Sequence, residues 1–278
     1  MATHILLINC PDETGLVYRI TGVLYHHGHN IVSNNEFVDL ESRQFFMRTE
    51  FLGEPDSASM LQELRAVLPP SAMIRFAHTG RRDIAILATK EPHCLGDLLI
   101  RHAYDELNAR IRAVISNHDI LGSLVEKFGI PFHYISHVEK ERTEHEREVL
   151  AVLDEYDPEY VVLAKYMRVL TPAFVERYPN RIINIHHSFL PAFIGASPYR
   201  QAYERGVKII GATAHFVNEG LDTGPIIAQS VTPVNHGYSA AEMAQAGRDV
   251  EEVALAKALK LVFEERVFLS GHRTIIFE

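Results

Sequence analysis

The 278-residue chain is acidic, with 36 Asp and Glu against 27 Lys and Arg and a formal net charge of −9 at pH 7. Nucleic acids are bound through clustered basic residues, so this balance argues against a nucleic-acid partner. Two cysteines far apart, Cys10 and Cys94, argue against a disulfide framework. No window approaches the ~18 apolar residues of a membrane span, and we expect a cytoplasmic protein.

The first 80 residues show the pattern of a small βαββαβ unit. A short apolar strand at 3–8 ends near Pro11, and apolar residues then repeat at helical spacing from 14 to 27. Two strand-like runs separated by three residues follow, and a second amphipathic helix ends at a Pro-Pro pair. The remaining predicted elements are strands at 30–39, 43–51 and 72–77 and a helix at 57–68.

A polar break at 79–83 marks the predicted boundary between domains 1–80 and 81–278. Beyond it, apolar runs alternate with helical segments, which is typical of a parallel α/β sheet that binds ligands beyond the carboxyl ends of its strands. We predict an α/β protein with a ferredoxin-like first domain and a mostly parallel, doubly wound second domain. The predicted strands are 84–88, 111–116, 132–135, 160–164, 181–185, 213–217, 226–234 and 274–277, and the helices are 94–106, 119–128, 142–154, 172–177 and 239–265.

The stretch NIHHSFLP places polar groups where the predicted strand 181–187 ends. Side chains alternate between the two faces of a strand, so Asn184 and His186 share one face and His187 points to the other unless the strand has already ended. This separation argues against two adjacent histidines binding one metal ion. His215 and Asp222 remain as an alternative metal pair, but no Cys or His at ligand spacing supports it, and we predict no metal site.

The segment NCPDETGLVYRITGVLYHHGHNIVSNN resembles the start of an ACT domain. The resemblance lies in Asp12-x-x-Gly15-Leu16 before the helix and in the Gly-His-Asn30-Ile entry to the second strand. It implies a homo-oligomer, at least a dimer, with a small amino acid bound near Asp12, Gly15 and Asn30. The alternative is that Gly15 only permits the turn and that the domain only assembles subunits.

Three later segments, VVLAKYMRVLTP, RIINIHHSFLP and GATAHFVNEGLDTGPII, together resemble the folate-dependent formyltransferases. The resemblance implies 10-formyltetrahydrofolate as formyl donor. It also implies a catalytic trio, a supporting histidine and a segment that lines the pterin pocket. These residues are, in turn, Asn184, His186 and Asp222; His215; and Met167, Arg168, Val169 and Leu170.

The chain also departs from those transferases. Their Gly-Asn-Gly-Ser-Asn loop, which holds the phosphate of the amine acceptor, is replaced by TKEPHCLG at 89–96, in which Pro92 lacks an N–H and Glu91 would repel a phosphate. Their Ala-Gly-Phe-Met is Ala-Lys165-Tyr-Met here. A donor site without an acceptor site leaves water as acceptor, and an ACT domain before such a domain resembles the formyltetrahydrofolate deformylases.

That resemblance implies hydrolysis of 10-formyltetrahydrofolate to formate and tetrahydrofolate, with no cofactor beyond the substrate. The alternatives are a formyltransferase with an unidentified amine acceptor and a non-catalytic amino-acid sensor. We expect Asn184 to donate a hydrogen bond to the formyl oxygen, and His186 to donate a second one if it is protonated. Asp222, its pKa raised by burial, would accept the proton of water or raise the pKa of His186.

Two further expectations follow from this assignment. An enzyme that releases tetrahydrofolate should be restrained when one-carbon units are scarce, so glycine and methionine are the first effectors to test. Cys94, near the replaced loop, is interpreted as the buried start of a helix rather than a nucleophile, because no base is spaced near it.

Overall fold

Residues 3–77, 80–191 and 198–278 are described in a computed structural model, in which the chain divides into two units. The first unit comprises residues 1–80 together with 264–268 and 275–278, and the second comprises 81–263 with 269–274. Thr79, the first residue of the predicted polar break, lies outside the described residues.

The first unit has the predicted βαββαβ order. Its sheet of four described strands runs β2-β3-β1-β4, and each neighbouring pair is antiparallel. One face of β1 contributes Leu6 and Ile8 to a core that the helices complete with Ile20 and Leu64. The elements are β1 (Thr3–Pro11), α1 (Leu16–His26), β2 (Asn30–Asp39), β3 (Gln44–Leu52), α2 (Ser57–Val67) and β4 (Met73–Ala77).

The second unit is built on a sheet with the order β11-β10-β9-β8-β5-β6-β7 among the described strands. Strands β5 to β9 run parallel, and β10 and β11 are antiparallel, so the predicted mostly parallel sheet is confirmed. The elements are β5 (Arg82–Ala88), α3 (His93–Ala103), β6 (Ala109–Ser116), α4 (Gly122–Glu126), β7 (Phe132–Tyr134), α5 (Arg142–Tyr156), β8 (Tyr160–Ala164), α6 (Pro172–Arg177), β9 (Ile182–His186), α7 (Pro198–Arg205), β10 (Ile209–Phe216), β11 (Ile226–Pro233) and α8 (Ala240–Phe263).

Strand order reverses between β5 and β8. The chain leaves β5 toward β6 and β7 on one side and then returns to add β8 and β9 on the other. A crevice forms at such a reversal beyond the carboxyl ends of the strands. Thr89 after β5 and Met167 after β8 meet there, where the Met167 N–H donates to the Thr89 hydroxyl oxygen at 3.0 Å. A ligand site is therefore expected at the carboxyl ends of β5, β8 and β9.

The C-terminal residues return to the first unit, which the sequence did not predict. The buried guanidinium of Arg48 donates to the carbonyl oxygens of Glu264 and Glu265, each at 2.9 Å, and pairs with Glu50 at 2.7 Å. The last strands, β12 (Val267–Ser270) and β13 (Arg273–Ile276), form a hairpin. Across the described part of the chain, no helix combines the length and apolar character needed to cross a membrane.

Candidate active site

A cavity of about 420 Å³ opens at the carboxyl ends of β8 and β9 in the second unit. Its volume lies within the range of small-molecule sites. The proposed catalytic trio, His215 and the four proposed pterin-pocket residues all line it. The lining residues are Leu163, Lys165, Tyr166, Met167, Arg168, Val169, Leu170, Asn184, Ile185, His186, His187, His215, Val217, Asn218, Glu219, Gly220, Leu221 and Asp222.

The segment 167–170 forms an apolar wall of this cavity. Met167 and Val169 are 59% and 45% exposed, which is high for large apolar side chains and typical of a surface that a ligand covers. The segment is held at both ends. Besides the Met167 N–H bond to Thr89, the backbone N–H of Thr171 donates to Glu146 at 2.9 Å.

The trio comes from two neighbouring strands and the turn after them. Asn184 and His186 are on β9, and β10 runs antiparallel beside it, with His215 opposite Asn184. Asp222 follows β10 in the turn to β11. Its carboxylate Oδ2 lies 3.2 Å from His186 Nδ1, and its Oδ1 lies 3.6 Å from His215 Nε2. His186 and Asp222, 36 positions apart, thus meet because two strands pair.

His215 determines how Asn184 is oriented. Its Nδ1 lies 2.8 Å from the carbonyl oxygen of Phe216, which can only accept, so Nδ1 carries the ring proton and the neutral ring has its lone pair at Nε2. That atom lies 3.2 Å from Asn184 Nδ2 and accepts one of its two hydrogens. The second amide hydrogen of Asn184 remains for a ligand in the cavity.

The tautomer of His186 follows from Asp222 in the same way. A carboxylate only accepts, so the proton between them belongs to Nδ1, and the neutral ring has its lone pair at Nε2. Among the described residues, His186 Nε2 is buried without a hydrogen-bond partner. A buried nitrogen without a partner is costly, and a water or substrate atom in the cavity would satisfy it.

Burial holds His186 in its neutral form. Removal from water lowers the pKa of His186 below its ordinary value, and the opposing effect of the Asp222 charge does not restore it. The condition on which His186 would donate to the resting substrate, a protonated ring, is therefore not favoured. Neutral His186 is suited to accept a proton instead.

The pKa of Asp222 departs from expectation in the other direction. Burial alone would raise this pKa, but the imidazole rings of His215 and His186 beside the carboxylate outweigh burial and lower it. The expectation that burial makes Asp222 a better base is therefore wrong. Its carboxylate stays ionised and is suited to orient and stabilise His186.

His187 lies one residue past the end of β9, where strand alternation no longer decides its direction. It lines the same cavity as His186, with ring centroids 5.0 Å apart. Burial lowers its pKa to about 4. Because β9 ends at His186, His187 does not point away from the cavity, and both histidines line it.

The turn that carries Asp222 depends on its glycine. Asp222 has φ +54°, a left-handed conformation that Asp tolerates better than most residues. A Cβ at Gly224 would lie 1.7 Å from the carbonyl oxygen of Phe216. Only glycine lets the turn approach β10 this closely, and the approach brings the carboxylate back to His186.

At the segment 89–96, which replaces the phosphate-binding loop of the transferases, side chains of the protein bond to one another. His93 Nε2 lies 2.7 Å from Glu251 of α8, and Glu251 also accepts from the Tyr199 hydroxyl at 2.6 Å and pairs with Lys165 at 3.1 Å. Cys94 is buried at the start of α3, and burial raises the pKa of its thiol, in agreement with a structural role.

Within the described residues, His93, Cys94 and Glu251 also bring possible ligand atoms within 4.8 Å of one another. The Lys165 ammonium already lies against Glu251, where it would repel a cation, and a buried thiol with a raised pKa is a poor ligand. We therefore interpret the group as part of a hydrogen-bonded cluster. Among the described residues, the alternative pair His215 and Asp222 lies 3.6 Å apart but has no third possible ligand grouped with it.

The proposed effector residues of the first unit do not meet within one chain. Gly15 has φ +87° and precedes α1, and Asp12 belongs to the same loop at the end of β1. Asn30 and Thr3 both pair with Leu52, at the opposite end of the nine-residue β1. The length of β1 separates Asn30 from Asp12 by roughly 30 Å.

Comparison with known proteins agrees with this architecture. The family model described as formyl transferase matches residues 82–259, and the model described as ACT domain matches residues 4–69. The formyltetrahydrofolate deformylase of Haemophilus influenzae is 56% identical over 272 residues, covering 98% of each chain. The chain belongs to the formyltetrahydrofolate deformylase family. The resemblance seen in the sequence is confirmed.

Solved structures separate the deformylases from the transferases by coverage. A formyltetrahydrofolate deformylase from Pseudomonas syringae pv. tomato covers 100% of this chain, with a TM-score of 0.95 and 38% identity, and 95% of that chain is matched. A glycinamide ribonucleotide transformylase from Symbiobacterium toebii covers 73% of this chain, with a TM-score of 0.69 and 32% identity, and 97% of that chain is matched. Full-length similarity is thus found with the deformylase.

In this member of the deformylase family, the residues around Lys165 were not predicted from the sequence as part of the site. Glu251 could have been found, because it occupies the buried stripe of α8 between Gly247 and Ala254, where a charged residue requires a partner. Tyr199 could not, because α7 was not predicted. Lys165 was noted as a departure from the transferases without a role.

Proposed function

We propose that Asn184, His186 and Asp222 carry out the reaction of the deformylase family, the hydrolysis of 10-formyltetrahydrofolate to formate and tetrahydrofolate. One observation carries the assignment of roles. His186 places Nδ1 against the Asp222 carboxylate at 3.2 Å and leaves Nε2 buried and without a partner among the described residues, in a cavity that also holds Asn184.

The attack step uses His186 as base. Water donates a proton to His186 Nε2 while its oxygen bonds to the formyl carbon, and negative charge develops on the formyl oxygen. The free amide hydrogen of Asn184 donates to that oxygen, and the Asp222 carboxylate stabilises the imidazolium through Nδ1. Removing one donor to a developing oxyanion typically costs about 10²–10³ in rate.

The second step uses the same proton. The imidazolium Nε2–H transfers it to the leaving N10 nitrogen as the C–N bond breaks, which yields tetrahydrofolate and formic acid, and the acid ionises in water. His186 returns to the neutral form that burial favours. These steps assign no chemistry to a cofactor, and we propose that the substrate is the only small molecule the reaction requires.

The apolar wall at 167–170 is proposed to bind the pterin ring, since Met167 and Val169 expose apolar area beside the trio. The decisive test is formate release from 10-formyltetrahydrofolate with no amine added. Stoichiometric formate and tetrahydrofolate from the wild-type chain are expected. Formate release only after an amine is supplied would instead indicate a formyltransferase.

The ACT domain is proposed to bind an amino-acid effector, glycine or methionine, at Asp12 and Gly15 in a cytoplasmic homo-oligomer. Because Asn30 lies at the far end of the sheet, a pocket that contains all three residues needs a second chain. Sedimentation should show at least a dimer, and titration of each amino acid should change turnover. A flat response to both, with an intact oligomer, would leave the domain a role in assembly alone.

A further inference from the structure

A buried ionic cluster adjoins the catalytic cavity, and the steps proposed above do not use it. Lys165, immediately after β8, is 4% exposed and lines the cavity, and Glu251 of α8 is fully buried beneath it. Their charged atoms lie 3.1 Å apart. Glu251 is further held by His93 at 2.7 Å and Tyr199 at 2.6 Å.

Stability alone does not account for this cluster. A buried ion pair loses about as much in desolvation as it gains in attraction. Lys165 also has φ +59°, a left-handed conformation that is uncommon for lysine and that glycine adopts at no steric cost. Backbone strain of this kind concentrates at functional sites.

The position of Lys165 relative to the trio is set by the sheet. Strands β8 and β9 are parallel neighbours with Leu163 paired with Asn184, so two residues further on Lys165 and His186 reach the same edge of the sheet, where both line the cavity. The Glu251 carboxylate pairs with the Lys165 ammonium. The pKa of Glu251 falls to about 2. Burial alone would raise that pKa, but the hydrogen bonds from His93 and Tyr199 and the Lys165 charge outweigh it.

We propose that Lys165 is a positioning residue of the deformylase reaction: held by Glu251 at the cavity wall, its ammonium keeps His186 uncharged and ready to accept a proton from water. This inference rests on the proposed role of His186 as base. It explains why a lysine occupies a strained position and why α8 buries a glutamate there. The cluster holds the Lys165 ammonium at the wall of the cavity that contains the base.

The other charged groups around His186 divide into two sets. Asp222 and Glu251 favour the protonated ring of His186, whereas Lys165 and His215 oppose it. A charge on His186 in turn opposes protonation of His187. Burial acts with Lys165. Removing the lysine therefore leaves Asp222 and Glu251 less opposed, so His186 takes up a proton at higher pH than in the wild type.

The test compares K165G with the wild type by formate release from pH 5.5 to 8.5. Glycine suits the backbone at this position, so the fold should be retained, as circular dichroism would verify. We expect kcat/KM to fall by up to about tenfold at pH 5.5, the full effect of one pKa unit, with a smaller loss at pH 7 and almost none at pH 8.5. The variant K165M, which keeps a long side chain without charge, should show the same displacement of the acidic limb.

K140M is the matched control. It removes a lysine that pairs with Glu148 at 2.6 Å elsewhere in the same unit, and its profile should superimpose on that of the wild type. Titration of the His186 ring by NMR provides a second readout that does not need turnover, and its midpoint should rise in K165G. A loss in K165G and K165M that is equal at every pH, with an unmoved His186 titration, would overturn the proposal.

Failure of the underlying assignment would look different. If His186 is not the base, H186A retains formate release whatever K165G does. If H186A is inactive and the acidic limb of both Lys165 variants stays where the wild type has it, the role of His186 stands and that of Lys165 is wrong.

Discussion

At the residue scale, each polar group in the cavity has its donor or acceptor role set by one neighbour. The Phe216 carbonyl sets the proton of His215, His215 orients Asn184, and Asp222 sets the proton of His186. Replacing one of these side chains should therefore change the orientation or protonation of the side chain that it contacts. Activity should be lost with little change in folate binding, because the apolar wall at 167–170 is separate from these contacts.

Asp222→Asn tests the carboxylate. The amide cannot stabilise the imidazolium by charge, so kcat should fall by about 10²–10⁴, while tetrahydrofolate binding measured by calorimetry should stay within about tenfold. Substantial formate release from this variant would show that Asp222 has been assigned wrongly.

The two adjacent histidines should differ. His186→Ala removes the base and should lower kcat about as much as Asp222→Asn does. His187→Ala should cost less, because His187 contacts the ring of His186 but, within the described residues, forms no hydrogen bond with Asn184 or Asp222. Parallel steady-state kinetics decide the matter, and equal losses would contradict the division of roles.

At the element scale, the turn between β10 and β11 matters as much as the strands. Asp222 reaches His186 only because the turn folds back against Phe216 at a glycine. Apolar runs predicted both strands, at 213–217 and 226–234, and so a connection between them. Its closeness to β10 depends on packing that no local pattern contains.

Gly224→Ala should move this turn and lower both kcat and the free energy of unfolding, because the added Cβ would overlap the Phe216 carbonyl oxygen. Gly96→Ala in α3 is the matched control. No atom lies within 4 Å of the position of its added Cβ, so it should keep wild-type activity and gain up to about 1 kcal/mol in stability. Denaturant unfolding and formate release measure both, and a silent Gly224→Ala would refute the role of the turn.

At the scale of the whole molecule, the second unit buries histidines in neutral form, which makes its stability depend on pH. His187 has a pKa of about 4 when folded and its ordinary value, near 6.5, when unfolded. The unfolded chain therefore binds the proton first. Stability is fully present above the unfolded pKa and is lost as pH falls toward the folded one.

We expect acidification from pH 6.5 to 4 to lower the free energy of unfolding, with His187 contributing on the order of 3 kcal/mol at about 1.4 kcal/mol per pKa unit. His187→Gln should reduce this slope. His236→Gln, at an exposed position of the same unit, should not. Denaturant titrations at several pH values measure the slope, and an unchanged slope in His187→Gln would contradict the prediction.

The sequence by itself determined the class of fold and the order of nearly all elements, and its resemblance to the formyltransferases supplied the proposed trio of Asn184, His186 and Asp222. Apolar periodicity is local, and the motifs near 184 and 222 are contiguous, so both can be read along the chain. Helix α7 escaped because it is short and polar, with a mean composition that resembles a loop.

Only the tertiary structure decided how these residues work. The protonation of His186, the lowered pKa of Asp222 and the place of His187 in the cavity all result from burial and from neighbours on other strands. The meeting of Lys165 with Glu251 joins residues 86 positions apart. Charge and solvation depend on distances in space, and those distances exist only after strands pair and α8 packs on the sheet.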